Sequence, residues 1–176
     1  PAYDDVVSAA YGGEYDAVDI EAAQAKLAES GLTTPVDVRI GYNAPNPRRA
    51  ETVQLIQASC AEAGFNVIDQ GSAAFFDTDL PSGDYDVALF AWAGSGQIAS
   101  GQNIYSSNKP QNYGFYSNTA VDEAWNTLAS SLDPEAQQEQ VIIIETELWD
   151  TLFGLPLYAH PNVVAYSSNL ENVRSS

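Results

Sequence analysis

Cysteine, histidine and basic side chains are scarce in this sequence, and each scarcity narrows what the chain can do. Cys60 is the single cysteine, so no internal disulfide can form and the redox state of the compartment leaves no mark. His160 is the single histidine, far in sequence from Cys60 and just before Pro161. A Ser–His or Cys–His device needs its base within hydrogen-bond reach of the nucleophile, and zinc needs three or four ligands at close spacing. Neither pattern is present, and His160 reads as a surface-loop residue. Lys and Arg number six against 24 Asp and Glu, for a net charge of −18. Such a chain repels phosphate backbones, which excludes direct nucleic-acid binding. No apolar run reaches the 18 residues of a membrane-spanning helix, and no basic-then-apolar leader is visible. The opening on Pro1, without a methionine, reads as an excised piece.

What remains is ordinary globular material. Of 176 residues, 45% are apolar, and a chain of this length buries roughly 70% of its unfolded surface. Residues 1–18 read as an irregular lead-in. Asp19 can cap a helix with Ile20, Ala23 and Leu27 at helical spacing, ended by Gly31. Val36, Val38, Ile40 and Tyr42 alternate with Asp37, Arg39 and Gly41 as a half-buried strand. Pro47 suits the first turn of a helix that aligns Val53, Ile56, Cys60 and Ala63 and stops at Gly64 before the strand Phe65–Ile68. Residues 36–68 are thus a strand–helix–strand unit with a parallel pair. Cys60, on the apolar stripe, reads as an inert core thiol.

The run from Tyr85 to Trp92 is almost continuously apolar, which predicts a central strand covered on both faces. Residues 93–118, rich in Gly, Ser, Asn and Gln, show neither helical nor strand period, and a loop that long is functional or disordered. Helices follow with Val121, Trp125, Leu128 and Leu132 on one side, and then from Asp133-Pro134-Glu135 to about Leu152. Leu155–Tyr158 and Val163–Tyr166 read as short closing strands. The fold class is α/β: a mixed sheet with helices on both faces. The Gly94-Ser95-Gly96 triplet matches no phosphate-binding loop, and no cofactor or metal is implied.

Five segments in order resemble the family 5 bacterial extracellular solute-binding proteins. They are Asp19–Leu27 before Gly31; Gln54–Gln57 with Ala63-Gly64-Phe65-Asn66-Val67; Gly83-Asp84-Tyr85-Asp86 leading to Trp92; Asn112–Asn118 with Val121-Asp122; and Leu155-Pro156-Leu157-Tyr158. The resemblance implies a periplasmic-binding-protein type II fold. On it, residues 19–176 form the carboxy-terminal lobe of a larger receptor, and residues 1–18 are a lead-in from a missing lobe. It further implies a monomeric protein, periplasmic or anchored as a lipoprotein, that captures peptides or similar solutes for ABC permease subunits and catalyses nothing.

Ligands of open α/β sheets bind beyond the carboxyl ends of the strands. That places a candidate site at Trp92, Ala93, Gly94, Ser95 and Gln97, joined by Asn112, Tyr113 and Gly114. Trp92 offers a stacking ring, the glycines close backbone approach, and Ser95, Gln97, Asn112 and Tyr113 hydrogen bonds. Two positions depart from the family. Ser95 stands where peptide binders often carry an aspartate for the ligand's ammonium, and Leu89 where some carry an arginine. The competing expectation is a small stand-alone α/β hydrolase using Ser95, which lacks a base near that loop; a third is an interaction domain with a flat surface at Trp92.

Overall fold

The computed structural model describes residues 4–93, 98–161, 165–167, 169, 170 and 172. The first helix, α1 (Asp4–Ala10), falls inside the expected irregular lead-in and corrects it. Val6 of α1 is buried, and the Tyr11 ring just after it stacks on Trp149 with centroids 4.2 Å apart. Tertiary packing, not local spacing, makes this helix. In α2 (Ile20–Ser30) the local chemistry suffices: the Asp19 carboxylate accepts from the Ala22 N–H, and Gly31 closes the helix at φ 72°.

Strand β1 (Val36–Asn43), helix α3 (Pro47–Glu62) and strand β2 (Phe65–Ser72) form the expected unit, the strands parallel and in register from Val36↔Phe65 to Asn43↔Ser72. Asn46 caps α3 through the Arg49 N–H, and Pro47 opens it. Alternation turns Ile40 and Tyr42 toward α3, where with Val53 and Val67 they make one core, flanked by Ile56 and Cys60. Burial raises the Cys60 thiol pKa, in keeping with an inert role. The opposite face of β1 is covered at Gly41 by the Phe75 ring and Tyr85; a Cβ on Gly41 would lie 3.1 Å from that ring. Phe75 opens a helical turn, Phe75–Asp79, continued by α4 (Leu80–Ser82).

Strand β3 (Val87–Leu89) pairs with β1 alone, giving the order β2-β1-β3 with every neighbour parallel. Two expectations are corrected here. The Tyr85–Trp92 run is an edge strand of three paired residues among the described ones, with Val87 45% exposed. Its apolar character serves ring contacts beyond the ladder, described below. The sheet is parallel where a mixed one is expected, because Leu155–Tyr158 runs outside any ladder with its apolar side chains exposed. Pro156 brings no N–H to such a ladder. Of the second closing strand, residues 163 and 164 lie outside the described residues, and Ala165 and Tyr166 are in no ladder.

The expected aperiodic segment also holds structure: a 3₁₀ turn (Ile98–Gly101) running into α5 (Gln102–Tyr105). Then α6 (Thr119–Ser130), capped by Asn118 on the Ala120 and Val121 N–H groups, packs on α7 (Pro134–Asp150), capped by Asp133 on the Glu135 N–H. Val121, Ala124, Trp125, Leu128 and Ile144 form this second core. Leu132, expected on the apolar side of α6, lies past the helix end and is 98% exposed.

Candidate functional site

Parallel strands end at one edge, so the segments leaving β1, β2 and β3 emerge together there. Beyond β3, Phe90 and Trp92 meet the loop before α6. The Trp92 and Tyr113 rings lie nearly parallel, 7° apart in plane with centroids at 6.1 Å, in an offset stack. Phe90 stands edge-on to both rings, at 5.3 and 6.3 Å. Tyr113 is also held through its backbone: the Tyr85 hydroxyl donates to its carbonyl at 2.9 Å. Trp92 remains 40% exposed. A ring fixed by neighbours yet open to solvent can stack on a ligand without first being ordered.

Asn112 plays a different part from the expected one. It is buried, and its amide nitrogen donates to the Ser106 and Tyr116 carbonyls (3.1 and 2.7 Å) while its oxygen accepts from the Tyr116 N–H at 2.9 Å. Those bonds are spent inside the loop, so Asn112 shapes it instead of facing a ligand. Gly114 is likewise explained by packing, since the Phe153 ring occupies the space a Cβ would take. Ala93 is exposed beside Trp92. Gly94, Ser95 and Gln97 lie outside the described residues. His160 is exposed, edge-on to Tyr158.

Behind Trp92 and Ala93 opens a half-enclosed cavity of about 290 Å³, walled mainly by apolar side chains of α5, α6 and α7. Sequence reasoning missed it, because its walls come from α1, the 3₁₀ turn, α5, α6 and α7, elements far apart in sequence. Glu145 is the charged residue on its lining, and burial raises its carboxyl pKa. Burial likewise raises the Tyr105 phenol, with the charge of Glu145 adding to the effect.

Residues 1–115 match the family model of the bacterial extracellular solute-binding proteins, family 5 middle. The chain belongs to this family. An uncharacterized lipoprotein of Mycobacterium tuberculosis is 32% identical over 180 residues, covering 97% of this chain and 32% of its own length. The oligopeptide-binding protein OppA of the same organism is 28% identical over 134 residues, covering 74% of this chain and 22% of its own. The chain thus spans about a third or less of the length of these relatives. Among solved structures, the ABC transporter substrate-binding protein CtaP of Listeria monocytogenes superposes with a TM-score of 0.69 at 22% identity, over 84% of this chain and 36% of that one. The fold is that of the type II periplasmic binding proteins. A family 5 protein is a binding protein, and the hydrolase reading of Ser95 finds no support in it.

Proposed function

We propose that this chain is the ligand-facing α/β lobe of a receptor that captures oligopeptides outside the cytoplasmic membrane and delivers them to ABC permease subunits. The observation that carries the proposal is the fixed, part-exposed Trp92–Tyr113 pair at the carboxyl edge of a parallel sheet. Topology favours ligands at that edge in open α/β sheets. A relative bearing the oligopeptide-binding name supports peptide as the solute, and one named a lipoprotein supports a membrane-anchored or periplasmic location. The receptor works as a monomer and without turnover. Residues 19–176 are one lobe, to which α1 is added through its packing on α7. Trp92 and Tyr113 form the stacking platform, with Ala93, Gly94, Ser95 and Gln97 following as the contact loop and Asn112 and Gly114 fixing its partner.

Calorimetry on the full-length receptor tests this reading. Oligopeptides are expected to bind, and Trp92→Ala to weaken them roughly tenfold or more, the loss of a stacked ring worth about 1–3 kcal/mol. Affinity indifferent to Trp92 would overturn the site, and the absence of peptide binding would overturn the solute class. With Ser95 in place of an aspartate, N-acetylation of the peptide is expected to cost little; a strong preference for the free amine that survives Ser95→Ala would assign amine recognition to another part of the receptor.

A further inference from the structure

Phe115, two residues after Tyr113, holds φ at 53°. A left-handed backbone is costly for a side chain with a Cβ and is left mainly to Gly and Asn. Phe115 is also 68% exposed, so burial of its ring does not account for the residue. Strained backbones persist only where neighbours over-determine them, and they gather at sites that hold ligands. Two contacts fix this one. The Phe115 N–H donates to the Asn112 carbonyl at 3.2 Å, closing a turn around Tyr113 and Gly114. The Phe115 ring lies on Gly83, where a Cβ would come within 2.5 Å of its Cε2. So set, the chain directs the Tyr116 N–H onto the Asn112 side-chain oxygen at 2.9 Å. An extended Phe115 would turn that N–H away and release the segment that carries Tyr113.

We propose that Phe115 is a positioning residue: its left-handed backbone sets the turn that brings the Tyr113 ring against Trp92, and its ring on Gly83 offsets the cost of that backbone. The inference rests on the receptor reading for what the platform binds, and Phe115 itself touches no ligand. Because the backbone is the working part, replacements rank by their tolerance of positive φ. Phe115→Gly needs no offsetting contact and keeps the turn. Phe115→Ala loses the ring contact and keeps the cost, and the β-branched Phe115→Val tolerates the angle least. A side chain that acted by apolar packing would give the reverse order, with Val above Ala and Ala above Gly.

The test uses the full-length receptor with these three substitutions. Without peptide, the indole N–H resonance of Trp92, assigned by its loss in Trp92→Phe, reports the Tyr113 ring beside it. Tyr113→Ala marks where that resonance falls once the ring is gone. Phe115→Gly is expected to leave the resonance near its wild-type position, and Phe115→Ala and Phe115→Val to move it toward the Tyr113→Ala position. A platform formed part of the time lowers apparent affinity by that fraction, so oligopeptide binding by calorimetry is expected within about twofold of wild type in Phe115→Gly and roughly three- to tenfold weaker in Phe115→Ala. In a Trp92→Ala background, with no stack to position, the cost of Phe115→Ala is expected to shrink to under about twofold. If Phe115→Val misfolds, the order of Phe115→Gly and Phe115→Ala decides. A Trp92 resonance that moves more in Phe115→Gly than in Phe115→Ala, or that stays in both while Tyr113→Ala shifts it, would overturn the positioning role whatever peptides do. If the resonances follow the expected order and no oligopeptide binds, the receptor reading falls while the positioning of the ring pair stands.

Discussion

Asn112 is the residue on which the loop before α6 turns. Three hydrogen bonds from one amide tie Ser106 to Tyr116, and the Tyr113 ring rides on the segment between them. Asn112→Ala would leave two carbonyls and an N–H without those partners in a largely buried setting. We expect a loss of about 2–3 kcal/mol in stability, read by urea unfolding. The sequence made Asn112 legible as important but not as structural, since an Asn in a polar loop carries the same signal whether it bonds a ligand or its own backbone. Helix caps were more readable. Asp19, Asn46, Asn118 and Asp133 act on N–H groups two or three residues away, so short-range sequence contains all that their geometry needs.

Pairs of elements depend on residues distant in sequence, and there local patterns say less. Strand β3 is short, yet Arg39 of β1 clasps its approach: Nε and Nη2 donate to Asp86 at 3.1 Å each, and Nη1 donates to Asp84 at 2.6 Å. These guanidinium bonds, with the Arg39 backbone N–H, hold the Asp86 carboxyl below the usual carboxylate range. A depressed folded pKa adds stability above the unfolded value and loses it as the pH falls through the folded one. Asp86→Asn is therefore expected to lower the Tm at pH 7, with the gap from wild type closing as the pH falls below the ordinary carboxylate range of about 4. Calorimetric scans across that range check the sign; a gap that widened in acid would contradict it. The Asp84-x-Asp86 spacing is visible in sequence, but its partner lies 45 residues upstream, and nothing local identifies Arg39 as the clasp. The α6–α7 pair is the opposite case, written plainly in its apolar spacing. Leu128→Ala, at a site 3% exposed in that core, is expected to cost about 2–5 kcal/mol by urea unfolding.

At the scale of the molecule, the α/β order followed from the sequence, while the extent of the sheet did not. The Tyr85–Trp92 run is as apolar as a central strand because its rings pack against Tyr113, and composition does not distinguish that contact from burial between strands. Helix α1 escaped notice for a related reason: seven residues carry too little periodicity, and the helix packs on α7, distant in sequence. The result is two cores, one between β1, β2 and α3 and one between α6 and α7, with the Trp92–Tyr113 stack linking the end of β3 to the loop before α6 and leaving Trp92 part-exposed on the face proposed for the ligand.

Such an open face covers only part of a solute, whereas tight sites bury about 70–90% of it. The decisive measurement is a titration of one oligopeptide into the full-length receptor and, in parallel, into this 176-residue chain. The account predicts micromolar or tighter binding to the first and nothing tighter than millimolar to the second. Micromolar binding to the chain alone would contradict the claim that it is one jaw of a two-sided site.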